Sequence, residues 1–310
     1  MPDNKVVFIM GPGHCGSTLL DLLLGSHTQA FSLAEIHVIG RFVDSPERAS
    51  QPICAVCGDQ CEFWNKRVRL DALRLFHSRK NLFWKVVGRG MRAVRNSYGP
   101  LFEATGKSLL IDSSKNPGWF KQQIATRFAW RDVTPHLIYL GRDGRGVANS
   151  YYRKYPERGL EWASQHWKDS IVSMNRFYET FPFQHKTRVR YEDLATSPEQ
   201  VVRTLCDFAE VPFEPGMLTY WVHDHHPVSG NAGTHSLILR ERERRNHASA
   251  DHRLSVNQDE RFYANDHYED LGLHIDLDLR WKSEMSEEDI QAFERIAGDL
   301  NRAFVATEPG

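Results

Sequence analysis

Gly11, Gly16, Ser17 and Thr18 fall at the spacing of a nucleotide phosphate loop, G-x-x-x-x-G-K-[ST], in the run Gly11-Pro12-Gly13-His14-Cys15-Gly16-Ser17-Thr18. The run follows the apolar stretch Val6-Val7-Phe8-Ile9-Met10 and leads into Leu19-Leu20-Asp21-Leu22-Leu23-Leu24. A buried strand, a glycine-rich turn and a helix start bring several backbone N–H groups and a helix N-terminus to one point, which makes an anion cradle. Ser17 stands where the motif has its lysine. The expected ligand is therefore a phosphate-like group other than the β/γ-phosphates of ATP.

A second run, Leu140-Gly141-Arg142-Asp143-Gly144-Arg145-Gly146-Val147-Ala148-Asn149-Ser150, reads as a strand end passing into a helix. Arg142 at the strand's carboxyl end can fork onto a phosphate, and Ser150, two turns along the helix, can add a hydroxyl donor. Two anion sites at two strand–helix turns imply a ligand with two separated anionic groups. Taken together, the two runs resemble the 3′-phosphoadenosine-5′-phosphosulfate (PAPS)-dependent sulfotransferases. They are most similar to bacterial members with a G-P-G-H-x-G-S-T opening and to the tyrosylprotein and heparan sulfotransferase branch. Val189-Arg190-Tyr191-Glu192-Asp193-Leu194 resembles the family's V-R-Y-E-x-L block, and Leu279-Arg280-Trp281-Lys282 its closing [KR]-W element. These matches occur in the family's order and cover about half of the chain.

The resemblance implies an enzyme that moves a sulfuryl group from PAPS, releases PAP and requires no metal. Gly13, His14, Cys15, Gly16, Ser17 and Thr18 would hold the 5′-phosphosulfate. Arg142 and Ser150 would hold the 3′-phosphate, with Lys154, Tyr191 and Arg280 as further nucleotide contacts. A sulfuryl group carries less charge than a γ-phosphate, which accounts for Ser17 in place of the lysine. His14 departs from the Lys or Arg of many relatives. It can stabilise charge on the leaving phosphate only when protonated or as a neutral N–H donor, so a pH dependence near neutrality is expected. Glu35, in Ala34-Glu35-Ile36-His37, matches the glutamate base of the tyrosylprotein and heparan enzymes, with His37 as a weaker alternative. Lys115, in Asp112-Ser113-Ser114-Lys115-Asn116-Pro117, matches the lysine beside the transferring group, where its charge would be neutralising.

Three features stay open at this stage. Cys54, Cys57 and Cys61 have the tight spacing of a zinc site but no evident fourth ligand, and a closed structural site wants four. A disulfide pair is a second reading, and reduced, packed thiols are the favoured one. A comparable Cys-rich segment ending in Phe-Trp occurs in some bacterial relatives. His223-Asp224-His225-His226 reads as part of a lid with satisfied histidines, because adjacent residues seldom converge on one ion. Residues 66–98 interleave Arg67, Arg69, Arg74, Arg79, Lys80, Lys85, Arg89, Arg92 and Arg95 with Leu73, Phe76, Phe83, Trp84, Val87, Met91 and Val94. Such a basic amphipathic stretch can face an acidic acceptor or a membrane surface, or simply carry one core face and one solvated face.

The elements that must position these residues follow from periodicity. Strand-length apolar runs at 5–10, 30–33, 108–112, 135–141 and 186–191 alternate with helical patterns at 17–26, 117–129, 144–154, 160–180 and 198–209. That alternation predicts an α/β fold, a doubly wound parallel sheet flanked by helices. Ser197-Pro198-Glu199-Gln200 predicts a helix start with a capping box, and Ser286 starts the last helix with Ile290, Phe293, Ile296 and Leu300 as its apolar stripe. No repeat or linker divides the 310 residues, so one domain is expected, with acceptor-site or lid insertions at 36–107 and 213–278.

Composition is that of a soluble globular chain, 41% hydrophobic and 25% charged. The formal net charge of −1 gives no reason to expect a nucleic-acid partner. No signal sequence or transmembrane run is evident, so the expected setting is the cytoplasm. The acceptor would be a small molecule, lipid or glycan. The rival readings are an ATP-dependent P-loop kinase, which needs the missing lysine and a Mg²⁺-holding acid after a strand, and a non-catalytic nucleotide-binding regulator.

Overall fold

The computed structural model describes residues 4–44, 52–77, 82–246 and 275–305. Five parallel strands form one sheet: β1 (Asn4–Met10), β2 (Ala30–Ala34), β3 (Leu109–Lys115), β4 (Val133–Gly141) and β5 (Lys186–Arg190). Their spatial order is β2-β3-β1-β4-β5. β1 is buried from Val6 to Met10 because helices cover both faces of the sheet, which is why its apolar residues run without alternation. On one face Phe8 packs among Tyr98, Phe120 and Trp130. On the other, Val7 and Ile9 meet Leu20, Leu23, Leu194 and Leu205.

The sheet order determines where chemistry can occur. From β1 the chain crosses to the β2–β3 side, then returns to the other side of β1 as β4. The order therefore reverses at β1, and ligands in such sheets bind in the crevice outside the strands' carboxyl ends at that point. The phosphate-loop run follows β1, and Arg142 follows β4 immediately beside it. Glu35 follows β2 and Lys115 ends β3, so all four candidates share one sheet edge.

Helix α1 (Ser17–Gly25) leaves the loop, and α2 (Ile39–Asp44) follows β2 after a short 3-10 turn at Ile36–Val38. In the first insertion α3 (Leu70–His77), α4 (Leu82–Val94) and α5 (Gly99–Thr105) follow one another. After β3, α6 (Pro117–Gln123) is capped by Asn116 and ends six residues earlier than the predicted helix; the chain then forms a separate 3-10 turn at Arg127–Trp130. Helices α7 (Gly144–Lys154) and α8 (Gly159–Glu179) follow β4, and α9 (Tyr191–Thr196) and α10 (Pro198–Phe208) follow β5. Helix α11 (Ala232–Asn246) lies in the second insertion, and α12 (Trp281–Glu284) and α13 (Glu287–Asn301) close the fold.

The last helix has the expected cap, with Ser286 and Asp289 bonding reciprocally, and Phe293 is fully buried. The capping box at Ser197 does not form. Ser197 also terminates α9, its N–H is taken by the Asp193 carbonyl, and its side chain makes no cap bond. In the basic stretch Leu73 and Phe76 are buried, while Val86 and Val94 are exposed, so the apolar side of α4 is only partly covered. Arg92 donates to the Phe76 carbonyl and so joins α4 to α3 rather than standing in a solvated row. Arg79 and Lys80, and the side chains of Phe83, Trp84 and Lys85, lie outside the described residues. Among the described residues, no helix is long and apolar enough to cross a membrane.

Candidate active site

The loop after β1 is built for close approach to a ligand. Gly16 caps α1 in the left-handed region, at φ 88°, and no side chain caps the helix. A helix terminus without a side-chain cap favours an anion beside it. A side chain at Gly16 would strike the Tyr191 ring, and one at Gly13 would strike the Tyr151 hydroxyl. The two aromatic rings wall the loop, and only glycine admits them. Cys15 is fully buried, and burial pushes its thiol above the ordinary range, so it serves packing rather than chemistry. Thr18 Oγ1 accepts the Asn231 N–H at 3.1 Å, which joins the second insertion directly to the loop.

Strain gathers at this edge. Among the described residues four non-glycine residues have positive φ, and three of them are His14 (62°), Ala34 (52°) and Lys115 (63°). Each such residue costs on the order of 1–3 kcal/mol unless its surroundings hold it. The β1–β3 register also shifts between Phe8 and Met10, and the β2–β3 register between Ser32 and Ala34. Irregularities of this kind re-aim side chains at strand ends. Here they turn Glu35 and Lys115 toward each other, and the two form a short ion pair at 18% and 22% side-chain exposure. The sequence-predicted base and lysine are therefore one constellation. His37 is not part of it: its ring lies by Trp119, and its N–H is bonded to Ser114 Oγ.

Arg142 is 7% exposed and stacks over the Tyr191 ring at 4.3 Å. It donates to the His14 carbonyl at 2.7 Å and meets Asp278 Oδ2 at 3.1 Å. Arg280 grips the same Asp278 carboxylate with two bonds of 2.8 Å. Burial alone would raise the Asp278 carboxyl, but the Arg280 and Arg142 guanidiniums hold it well below the usual carboxylate range. Two guanidiniums thus converge on one carboxylate in charge-assisted bonds. Tyr191 donates to the Asp276 carbonyl and accepts the Asp278 N–H, fixing the segment that carries that carboxylate. Ser150 Oγ donates to the Gly146 carbonyl on its own helix at 2.9 Å, so donation to a phosphate requires its hydroxyl to rotate.

His14 packs edge-on against Tyr151 at 4.8 Å. Desolvation first, then the charges of Lys154, Lys115, Arg142 and Arg280, lowers its pKa to about 3. A neutral His14 replaces the near-neutral titration expected from the sequence. The kcat/KM profile should accordingly show no ionisation of His14 between about pH 6 and 8, and His14→Gln should lower kcat without changing the profile's shape. Loss of an acidic limb in that variant would refute this reading.

Several contributors had no sequence signal. Asp278, Tyr151, Asn231 and His235 reach the site only through tertiary packing. His235 is buried, and burial lowers its pKa to about 4, with the Glu35 charge acting in the opposite direction.

The cysteine cluster is resolved in a way the sequence did not reveal. None of the five cysteines forms a disulfide, so the disulfide reading does not hold. Cys54, Cys57 and Cys61 converge with His226. The expected satisfied histidines are seen at His223, bonded to the Gly216 carbonyl, and at His225, bonded to the Tyr220 carbonyl. His226 instead points Nδ1 at the thiols.

A parallel sheet reversing at β1 thus carries the glycine-rich loop, two guanidiniums and a Glu–Lys pair at the carboxyl ends of its strands. The profile of the sulfotransferase family matches residues 6–215, and the chain belongs to that family. The sulfotransferase domain from the curacin biosynthetic pathway has the same fold, with a TM-score of 0.52 and 22% identity, over 97% of this chain and 98% of that one. Protein-tyrosine sulfotransferase 1 of Danio rerio is 26% identical over 249 residues, 77% of this chain and 61% of that protein. An uncharacterized protein of Aquifex aeolicus (strain VF5) is 24% identical over 71% of this chain and 27% of its own length. The chain thus spans about a quarter and about three fifths of these two curated relatives.

Proposed function

We propose that the chain transfers a sulfuryl group from PAPS to an acceptor hydroxyl, less readily to an amine, by in-line displacement. The observation that carries this reading is the Glu35–Lys115 pair, held on the same sheet edge as the uncapped α1 N-terminus and the guanidiniums of Arg142 and Arg280. The residues present fit a nucleotide with an anion at each end. The loop from Gly13 to Thr18 would hold the 5′ end, and Arg142, with Arg280, Ser150, Lys154 and Tyr191 around it, the 3′-phosphate. PAPS supplies an activated sulfuryl group on a phosphosulfate linkage, with PAP as the leaving nucleotide. Glu35 takes the acceptor proton, and Lys115 offsets charge on the transferring oxygens. His14, neutral, offers an N–H donor to the leaving end.

The kinase reading is disfavoured by Ser17 in place of the lysine and by what Asp112 and Asp143 do. Asp112 accepts from Tyr98 Oη, Trp119 Nε1 and the Ser114 N–H, and Asp143 caps α7 while pairing with Arg145 and Asn301. Both are occupied by structural partners rather than presented to a Mg²⁺ ion. The acceptor pocket falls to the insertions at 36–107 and 213–278, and a hydroxyl acceptor agrees with the protein-tyrosine substrate in the Danio rerio relative's name. Isothermal calorimetry with PAP, ATP and Mg-ATP tests the donor. Metal-independent PAP binding at least about tenfold tighter than Mg-ATP, a difference of about 1.4 kcal/mol, is expected. Selective Mg-ATP binding would overturn the reading.

A further inference from the structure

Away from the sheet edge, the first insertion carries a second constellation that the transfer reaction does not use. Cys54, Cys57 and Cys61 each present a sulfur, and His226 presents Nδ1, with all four atoms within 4.8 Å of one another. Nδ1 lies 3.3 Å from the Cys57 sulfur and 3.5 Å from the Cys61 sulfur. Tetrahedral zinc, with Zn–S of about 2.3 Å and Zn–N of about 2.0–2.1 Å, places such atoms about 3.6 Å apart. The spacing is thus that of four ligands around one ion.

The surroundings are arranged as a metal site requires. The Cys57 N–H donates to the Cys54 sulfur at 3.3 Å, which fixes the orientation of that side chain. Gly58, at φ 58°, makes the turn that brings the chain from Cys57 to Cys61. The backbone of His226 is fixed from two sides: Trp64 Nε1 donates to its carbonyl at 2.8 Å, and the Ala55 N–H donates to the adjoining Pro227 carbonyl at 2.8 Å. Phe63 stacks on the imidazole at 5.5 Å with its plane tilted by 14°. Outer partners of this kind orient ligands and exclude water. Cys54 and Cys61 are almost fully buried, and Cys57 and His226 are partly buried.

We propose that Cys54, Cys57, Cys61 and His226 bind one structural Zn²⁺ ion. Three thiolates and one neutral imidazole close the tetrahedron, and the thiols give up their protons on binding. Softness and geometry favour zinc over harder divalent ions. The ion ties the first insertion to the second at a point five residues before Asn231, whose N–H holds Thr18 in the phosphate loop. It is a clamp between the two insertions, not a participant in transfer.

Metal analysis of the untagged full chain, purified under reducing conditions and passed over a chelating resin, tests this. About one zinc per chain is expected, as one closed site requires. Cys57→Ser and Cys61→Ser should lose it. Exchange with Co²⁺ should give a thiolate-to-cobalt charge-transfer band and the intense d–d bands of a tetrahedral ion. His226→Cys should keep the metal and shift those d–d bands, whereas a histidine merely nearby would leave them unmoved. Zinc-free protein whose added Co²⁺ gives no charge-transfer band would overturn the proposal, as would bound iron or a disulfide within the cluster. The cobalt spectrum of the unsubstituted chain decides the matter even where a variant does not fold.

Discussion

Glu35→Gln should lower kcat by about 10²–10⁴-fold while leaving the Kd for PAP unchanged, because general-base assistance contributes in that range and the nucleotide does not need it. In free energy this is about 3–5 kcal/mol of transition-state stabilisation. The glutamine keeps the shape of the side chain and can still accept a hydrogen bond from Lys115, so the geometry at the end of β2 is preserved. What it removes is the ability to take the acceptor's proton. PAP release from PAPS, measured with a metabolite and lipid extract as the source of acceptor, checks the rate, and calorimetry with PAP checks the binding. Turnover within about fivefold of the unsubstituted chain would remove Glu35 from the role of base. Lost turnover with intact PAP binding also separates an enzyme from a nucleotide-binding regulator.

Lys115→Met should lower kcat by about 10²–10³-fold, the cost of removing one preorganised charge from the transferring group. The left-handed backbone at Lys115 belongs to the strand end, not to the ammonium, so the fold should tolerate the change. Glu35 is left without its cation, but at 18% side-chain exposure it retains some contact with water. The thermal midpoint should therefore move little while the rate collapses, and a large fall in Tm with a modest rate loss would mark Lys115 as structural. The two residues touch, so their effects should not add. Glu35→Gln combined with Lys115→Met should cost less than the product of the single losses, and full additivity would show that the ion pair has no part in positioning either group.

The class of fold and the position of the glycine-rich loop between β1 and α1 were legible because they rest on local rules. Apolar runs of strand length, glycine spacing and helix starts are written within a few residues of each other, and the expected strands agree with β1 to β5 to within a few residues. The candidate residues Glu35, Lys115 and Arg142 were legible too, since each follows a strand whose carboxyl end must lie on the binding edge of a parallel sheet. Local cues failed where two signals competed, as at Ser197, which must end one helix while beginning the next.

The amino-acid sequence by itself thus determined the order of the strands along the chain, the glycine-rich loop after β1 and the residue types available at the sheet edge. Tertiary structure alone decided how those residues meet. The Glu35–Lys115 contact depends on register shifts and strained backbone between strands far apart in sequence. Asp278 joins Arg142 to Arg280 across 136 positions in the chain, and burial, aided by four surrounding cations, lowers the pKa of His14. The fourth partner of the cysteine cluster, His226, lies 165 residues from Cys61. Spacing in a sequence specifies neighbours along one strand or helix, whereas contacts between distant segments, and the burial and fields that tune ionisable groups, exist only once the segments are packed.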